Sequence, residues 1–470
     1  MARTACVIGA GPNGLSAAIV LAQAGFQVEV FEAQSTPGGA ARTMELTLPG
    51  FRHDFGSAVY PLGAGSPFFR TLPLGDFGLQ WIRSPAALAH PLDDGTAVML
   101  EFELRETASG LGVDGAAWTK LVQPWVENWW QLAEDVLRPI SLFPKHPLLL
   151  GRFGMNAALP ARTVARRFRT ERARALFAGM AAHSFLSLDQ WISAAFAMLL
   201  AAPAHVVGWP IPRGGAQAIT TALCDYLVTL GGRVWTARRV DSLESMAEYG
   251  LLLADVTPKQ VLSMAGNRLS TGYKRSLSRF RYGPGVFKVD YALREPIPWR
   301  AKDCSRAATV HLGGTLDEIA ASEEAMSQGR TTERPFVLLA QPSLFDDSRA
   351  PANQHTAWAY LHVPNGSRAD MLGPLESQIE RFAPGFRECV LARRVFSTAD
   401  LETMDENLVG GDIVGGAVTI PQMLFRPTAM QYATSAKNIF LCSSSTPPGG
   451  GVHGMCGYNA AKAALASLGE

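Results

Sequence analysis

The sequence predicts an α/β fold with two parts. One is a discontinuous domain built on a parallel sheet from both ends of the chain; the other is a substrate domain of mostly antiparallel sheet and helices. Three observations predict it. Strand, glycine-rich turn and helix follow one another at 4–24, a second buried strand, glycine-rich turn and helix close the chain at 438–468, and a period-two alternation such as Val286–Leu293 lies between them. Size and composition agree: 470 residues leave room for two or three domains. The 47% hydrophobic content excludes disorder, and a net charge of +1 excludes a general affinity for nucleic acid.

Thr4–Ile8 is a short apolar strand that runs directly into Gly9-Ala10-Gly11-Pro12-Asn13-Gly14. A helix follows from Leu15 to Ala24, apolar on nearly every face as a buried helix is, and Gly25 ends it. Phe26–Phe31 is the second strand and Glu32 stands at its end. In such a unit the first glycine permits the tight turn, the second lets backbone approach a pyrophosphate, and the third allows close helix–strand packing. The helix N-terminus offers free N–H groups and a positive dipole to phosphate, and Glu32 is placed to accept from ribose hydroxyls. A GxGxxG after a strand, before a helix and upstream of an acidic strand end is a dinucleotide site.

Pro37-Gly38-Gly39-Ala40-Ala41-Arg42-Thr43 follows almost at once. The doublet lets backbone pass close to a cofactor, and Arg42 is placed to balance phosphate charge. NAD sites do not need this doublet. At the other end, the strand Asn438–Cys442 is followed by Ser443-Ser444-Ser445-Thr446-Pro447-Pro448-Gly449-Gly450-Gly451-Val452-His453-Gly454-Met455 and a helix from about Gly457 to Leu468. Two glycine-rich helix starts, one at each end of the chain, suit one long ligand such as FAD. The second start would set a positive dipole against the N1/O2 side of a reduced flavin ring.

These motifs, with Gly50-Phe51-Arg52-His53-Asp54-Phe55-Gly56-Ser57, resemble the phytoene desaturase superfamily of FAD-dependent oxidoreductases. Arg281–Leu293, Val310–Thr315 and Trp358–Pro364 resemble its branch of pyridine nucleotide-disulfide oxidoreductase domain-containing members. The chain departs from the family pattern at Ser443, Pro447 and His453. The resemblance implies a Rossmann-type FAD-binding domain, with Gly9, Gly11, Pro12, Asn13, Gly14, Glu32, Gly39, Ala41, Arg42, Gly56, Ser57, Val240, Ser443, Ser444, Val452, His453, Gly454 and Met455 at the cofactor. It implies an enzyme of desaturase or dehydrogenase type working on C–C or C–H bonds of a hydrophobic isoprenoid or polyene by hydride transfer to flavin N5. A flavin-dependent double-bond isomerase and a FAD-containing protein with mainly a partner-binding role are the alternatives.

The FAD-binding domain is expected at 1–85, 206–279 and 396–470. Within it a strand is expected at Arg233–Val240, and Leu251–Ala254 is the next core strand, leaving through Asp255. The substrate domain has a helical part at 86–205, carrying Trp118, Trp125, Trp129 and Trp130, and a sheet part at 280–395. His311-Leu312-Gly313-Gly314-Thr315 reads as a turn, because no GxGxxG or acidic strand end accompanies it.

Because FAD itself accepts the hydride, the protein mainly has to position a C–H bond. His453 is the first catalytic candidate, on the turn that meets the flavin ring in the relatives, with a helix-capping histidine as its other reading. Lys288 is the second, in a strand lining the substrate side, where amine oxidases of related fold place a lysine near flavin N5. An ion pair with Asp290 is its other reading. His53, His205 and His362 read as structural or rim residues. No metal cluster, P-loop or Ser–His–Asp arrangement is visible, and none of the six cysteines forms Cys-x-x-Cys. The longest nearly apolar run, Trp191–Ala202, has twelve residues where a spanning helix needs about 20. With no leader, the expectation is a cytoplasmic protein peripheral to the membrane, touching it through Pro139–Leu150 and the arginines of Arg162–Arg174.

Overall fold

The computed structural model describes residues 3–141 and 143–469. Its first sheet has five strands, all parallel, in the order Ile439–Leu441, Leu251–Ala254, Thr4–Ile8, Gln27–Phe31, Arg233–Trp235. Thr4–Ile8 is therefore the central strand, and the order reverses on its two sides. In an open parallel sheet that reversal opens a crevice at the carboxyl ends of the strands. Pro12–Gln23 is the first helix, with Pro12 pre-setting φ in its first turn. It is buried from Pro12 to Ala22 because the C-terminal helix Met455–Ser467 lies against it. The approach is backbone-close: a Cβ on Gly457 would stand 1.7 Å from the Asn13 carbonyl oxygen.

The second sheet has seven strands, in the order Val390–Phe396, Gly285–Leu293, His355–Val363, Val337–Ala340, Ala307–Leu312, Ala86–Pro91, Ala97–Glu101. It is antiparallel except where Ala307–Leu312 meets Ala86–Pro91. Gly285–Leu293 is wholly buried, yet its alternation still sorts two faces. Phe287, Val289 and Tyr291 enter an apolar core with Leu339, Ala359 and Phe386. Val286, Lys288 and Asp290 face the other way, opposite His362, Tyr360 and Trp358.

Two elements differ from expectation. The expected Arg233–Val240 strand stops at Trp235, because Ala237 takes φ +52 and turns the chain so that Arg238 N–H reaches the Glu32 carbonyl. The expected helical part begins instead with a hairpin, Ala86–Pro91 and Ala97–Glu101, turning through Asp94-Gly95 with Gly95 at φ +82. Helices occupy most of 104–204, and Trp118, Trp125 and Trp129 are core residues. No helix among the described residues is long and apolar enough to cross a membrane.

Candidate functional site

At the carboxyl ends of the parallel strands lies a cavity of about 320 Å³, within the range of ligand sites. Gly9, Gly11, Glu32, Gly39, Arg42 and Val240 line it. The loop can only be built from glycine: Gly9 has φ +96, and a Cβ on Gly14 would stand 2.1 Å from the Gly9 carbonyl oxygen. Glu32 is buried, and its two carboxylate oxygens accept the Ala10 and Gln34 N–H groups, each at 2.8 Å. Arg42 donates Nε to the Gly39 carbonyl at 2.7 Å and Nη2 to the Met404 carbonyl at 2.9 Å.

Asp255 and Asp405 also line this cavity, and sequence reasoning gave neither a role there. An Asp255 carboxylate oxygen accepts the Gly14 N–H at 2.8 Å, at the start of the first helix. Burial pushes both aspartates up toward the neutral acid, which lessens their repulsion of an arriving phosphate. Asp255 was findable: like Glu32, it is an acid at the end of a core strand.

The remaining residues lie around the second glycine-rich turn and the loop that follows the doublet. Gly56 N–H donates to the Ala40 carbonyl at 2.9 Å, Ala41 N–H to the Gly38 carbonyl at 2.8 Å, and the Ser57 hydroxyl pairs with Tyr60 Oη at 3.0 Å. The Ser443 carbonyl accepts Thr446 N–H, the Ser444 carbonyl accepts Arg426 Nη2 at 2.9 Å, and Val452 is half-buried against Gly63. Gly454, left-handed at φ +70, precedes the C-terminal helix, which begins at Met455. Asn13 Oδ1 and Ser445 Oγ, at the two glycine-rich turns, are buried with no hydrogen-bond partner. The glycine cradle, the two adjoining helix starts and these free acceptors fit a ligand with a pyrophosphate and a long second half.

His453 is buried; its Nδ1 accepts Met455 N–H at 3.1 Å and its carbonyl accepts the Ser66 hydroxyl at 2.7 Å. Burial pulls it down to about 4, against hydrogen bonds to Gly449 and Gly450, so the ring is neutral and caps the C-terminal helix. Lys288 forms an ion pair with Asp290, with Nζ 5.4 Å from the Trp358 ring centre and 5.1 Å from that of Phe396. Burial pulls Lys288 down against the opposing pull of Asp290, and pushes Asp290 up to about 6. His53 Nδ1 lies 3.6 Å from Asp290, and burial pulls that imidazole down to about 3.

Neighbouring Asp54 receives Arg349 Nη1 at 2.8 Å, and Arg349 Nε reaches Asp346 at 2.7 Å, all three fully buried. His205 Nδ1 bonds the Phe102 carbonyl at 3.0 Å. The described contacts bring Lys288 to His53 and Asp290 but do not join it to His453. A file of rings does link it to the cavity at the ends of the parallel strands. The Arg42 guanidinium lies 5.5 Å from the Phe55 ring centre, Phe55 meets Phe396 edge-on at 5.9 Å, and Lys288 follows.

Residues 7–72 match the family of NAD(P)-binding Rossmann-like domains. The chain is 28% identical to the mouse pyridine nucleotide-disulfide oxidoreductase domain-containing protein 2, covering 99% of this chain and 93% of that protein. It is 26% identical to the phytoene dehydrogenase of Streptomyces griseus, covering 95% and 91%. An oxidoreductase from Methanosarcina mazei shares the fold, with a TM-score of 0.66 at 17% identity over 99% of this chain and all of that one. Along nearly its whole length the chain is thus similar to oxidoreductases that include a phytoene dehydrogenase and a pyridine nucleotide-disulfide oxidoreductase domain-containing protein, on a fold with a Rossmann-type dinucleotide-binding domain.

Proposed function

We propose that the protein is a desaturase or dehydrogenase acting on C–C or C–H bonds of a hydrophobic isoprenoid or polyene-like substrate. The observation that carries this reading is the ring file from Arg42 through Phe55 and Phe396 to Lys288, which continues along the sheet as Trp358 stacked on Tyr360 at 5.3 Å. Such a wall suits an apolar, unsaturated molecule. Bound FAD supplies, at flavin N5, the acceptor for a hydride from the substrate. Gly9, Gly11, Gly14 and Glu32 hold its adenosine and pyrophosphate half, and the segments around Gly56, Ser57 and 443–455 hold the other. Trp358, Tyr360 and Phe396 exclude water and hold the reacting carbon, and Lys288 holds a charge beside it. Anaerobic incubation of the yellow protein with candidate polyenes tests this. Stoichiometric bleaching of the flavin supports oxidation, product formed only by pre-reduced protein supports the isomerase instead, and a protein that takes up no FAD overturns both.

We also propose peripheral membrane contact. The helix Pro147–Ala157 and the loop before it expose Ile140, Phe143, Leu148 and Met155, with Phe143 at 86% and Leu148 at 90% exposure. Leu142 of the same stretch lies outside the described residues. The Ile192 N–H bond to the Ala158 carbonyl brings exposed Trp191 alongside. The arginine stretch contributes less than its count suggests. Arg162 is bound to Asp189 and Asp317, Arg172 to Thr96 and the Ala97 carbonyl, and Arg174 to the Phe168 carbonyl. Arg166, Arg167 and Arg169 remain exposed. Flotation with anionic liposomes that is lost in Phe143→Ser/Leu148→Ser supports the contact; unchanged flotation refutes it.

A further inference from the structure

Three buried imidazoles, a half-buried fourth and a buried glutamate stand beyond Tyr360 on the same side of the large sheet as Lys288. His362 Nδ1 lies 2.8 Å from Glu323 Oε2, with side chains 1% and 0% exposed. His183 Nε2 meets His311 Nε2 at 3.0 Å, and His90 Nε2 meets the Gly314 carbonyl at 2.7 Å. Among the described residues no group of histidine, cysteine or acid side chains has the arrangement of a metal site. Yet His362 Nε2, His311 Nδ1, His90 Nδ1 and Glu323 Oε1 are all buried without a hydrogen-bond partner. A fold that only needed packing here would leave apolar side chains, since each bare buried acceptor or donor costs stability.

The partners already made fix the chemistry of what is missing. A carboxylate can only accept, so His362 carries a proton on Nδ1, and Nε2 is the edge left without a partner. A carbonyl can only accept, so His90 carries its proton on Nε2 and its Nδ1 is bare as well; burial pulls this ring down to about 4 and keeps it neutral. Gly179 lets a helix backbone pack directly against two of these rings: a Cβ there would stand 2.8 Å from His311 Nδ1 and 3.4 Å from His90 Nδ1. The walls are aromatic, with Phe185 4.0 Å and Tyr360 5.8 Å from the His362 ring centre, and Phe336 5.4 Å and Trp209 6.1 Å from that of His311. His362 faces Val286, and Lys288 faces Tyr360. His362 and Lys288 are thus diagonal neighbours on one face, about 7–8 Å apart.

We propose that His362, oriented by Glu323, is the anchor for a hydroxyl group of the substrate. The substrate is then an isoprenoid or polyene alcohol, whose apolar body lies along Tyr360 and Trp358 toward Lys288 and whose hydroxyl, able to donate or accept, pairs with His362 Nε2. This deepens the function proposed above and rests on it. A hydrocarbon leaves His362 Nε2 buried without a partner; an alcohol of the same carbon skeleton satisfies it. His362 and Glu323 are specificity-determining and positioning residues, and no bond is made or broken at them.

Two acyclic ten-carbon probes, geraniol and the hydrocarbon myrcene, test this by binding to the FAD-loaded protein. Quenching of tryptophan fluorescence is the readout, since Trp209 and Trp358 border the site. Geraniol is expected to bind at least about tenfold more tightly than myrcene. His362→Phe, accepted only with full FAD content and an unchanged near-ultraviolet circular dichroism spectrum, is expected to abolish that preference. Nitrogen-15 spectra of histidine-labelled unmutated protein give a second reading that needs no variant: the His362 Nε2 resonance moves with geraniol and stays with myrcene. Equal binding of the two probes, a preference that survives in His362→Phe, or an unmoved Nε2 resonance overturns the anchor and leaves the hydrophobic-substrate reading standing. Failure of both probes to bind overturns that reading and the anchor with it.

Discussion

Replacing Lys288 with methionine separates what the buried pair does for the fold from what the lysine does for chemistry. The side chains of Lys288 and Asp290 are 3% and 0% exposed. Removing the cation alone leaves a carboxyl buried beside a neutral imidazole, and breaking a buried pair in this way costs about 3–5 kcal/mol. Replacing both partners with apolar side chains of similar volume removes the uncompensated charge, so Lys288→Met/Asp290→Leu returns to within about 1–2 kcal/mol of the unmutated protein. The pH dependence has a definite sign. Asp290 is already raised to about 6 with Lys288 beside it. Without that charge it rises further, and a carboxyl raised in the folded state loses its contribution to stability as pH increases. The deficit of the single variant therefore deepens on the alkaline side. Urea unfolding of FAD-loaded protein at several pH values measures both effects. A single variant as stable as the unmutated protein refutes the buried pair. A double variant that keeps FAD and is bleached by substrate at the unmutated rate refutes any part for Lys288 in the chemistry.

Other outcomes follow from the same geometry. Glu32→Ala strips the Ala10 and Gln34 N–H groups of their carboxylate and weakens FAD binding by about 1.5–3 kcal/mol, read by equilibrium dialysis; unchanged retention of FAD refutes the cradle. Arg349→Ala leaves Asp54 and Asp346 buried without their cation and costs about 3–5 kcal/mol in chemical denaturation, whereas a loss below about 1 kcal/mol refutes it. Burial lowers His53 and His183 to about 3 and His90 and His453 to about 4, from 6.5. Stability is complete above about 6.5 and drains away as pH falls toward those folded values; a melting temperature flat across that window refutes neutral burial.

What the sequence made legible was chemistry encoded by spacing along one stretch of chain. The loop from Gly9 to Gly14 and Glu32 lie within one strand–helix–strand unit, so sequence distance stands in for spatial distance, and the strand and helix after that loop appear within a few residues of where they were expected. The hairpin at 86–101 was missed although Asp94-Gly95 is a strong turn signal, because the helical composition downstream outweighed it. His362 read as structural because its partner Glu323 is 39 residues away on a helix, and His183 is 128 residues from His311. Nothing in local periodicity reports a pair made across elements. Arg349 was invisible for the same reason: it is 295 residues from Asp54.

That long-range pairing bears on how the two domains work together. The strand Arg52–Asp54 follows the Gly38-Gly39 doublet, and its neighbours carry the joint to the seven-stranded sheet. Asp54 receives the Thr43 hydroxyl and the Ala216 N–H on one oxygen and Arg349 on the other; His53 approaches Asp290; Phe55 packs on Phe396. Apolar packing alone is non-directional, and would let the seven-stranded sheet slide over the domain of the parallel sheet at small cost. Charged hydrogen bonds buried away from water are directional and lose most of their strength when misaligned. In the proposed reaction the reacting carbon must be held within about 0.5 Å of its productive position over the acceptor, and this joint would supply that constraint from residues that need touch neither cofactor nor substrate. The proposed substrate wall beyond it, made of Trp358, Tyr360 and the His362 cluster, could then change to suit a different molecule while the sheet that carries it keeps its place.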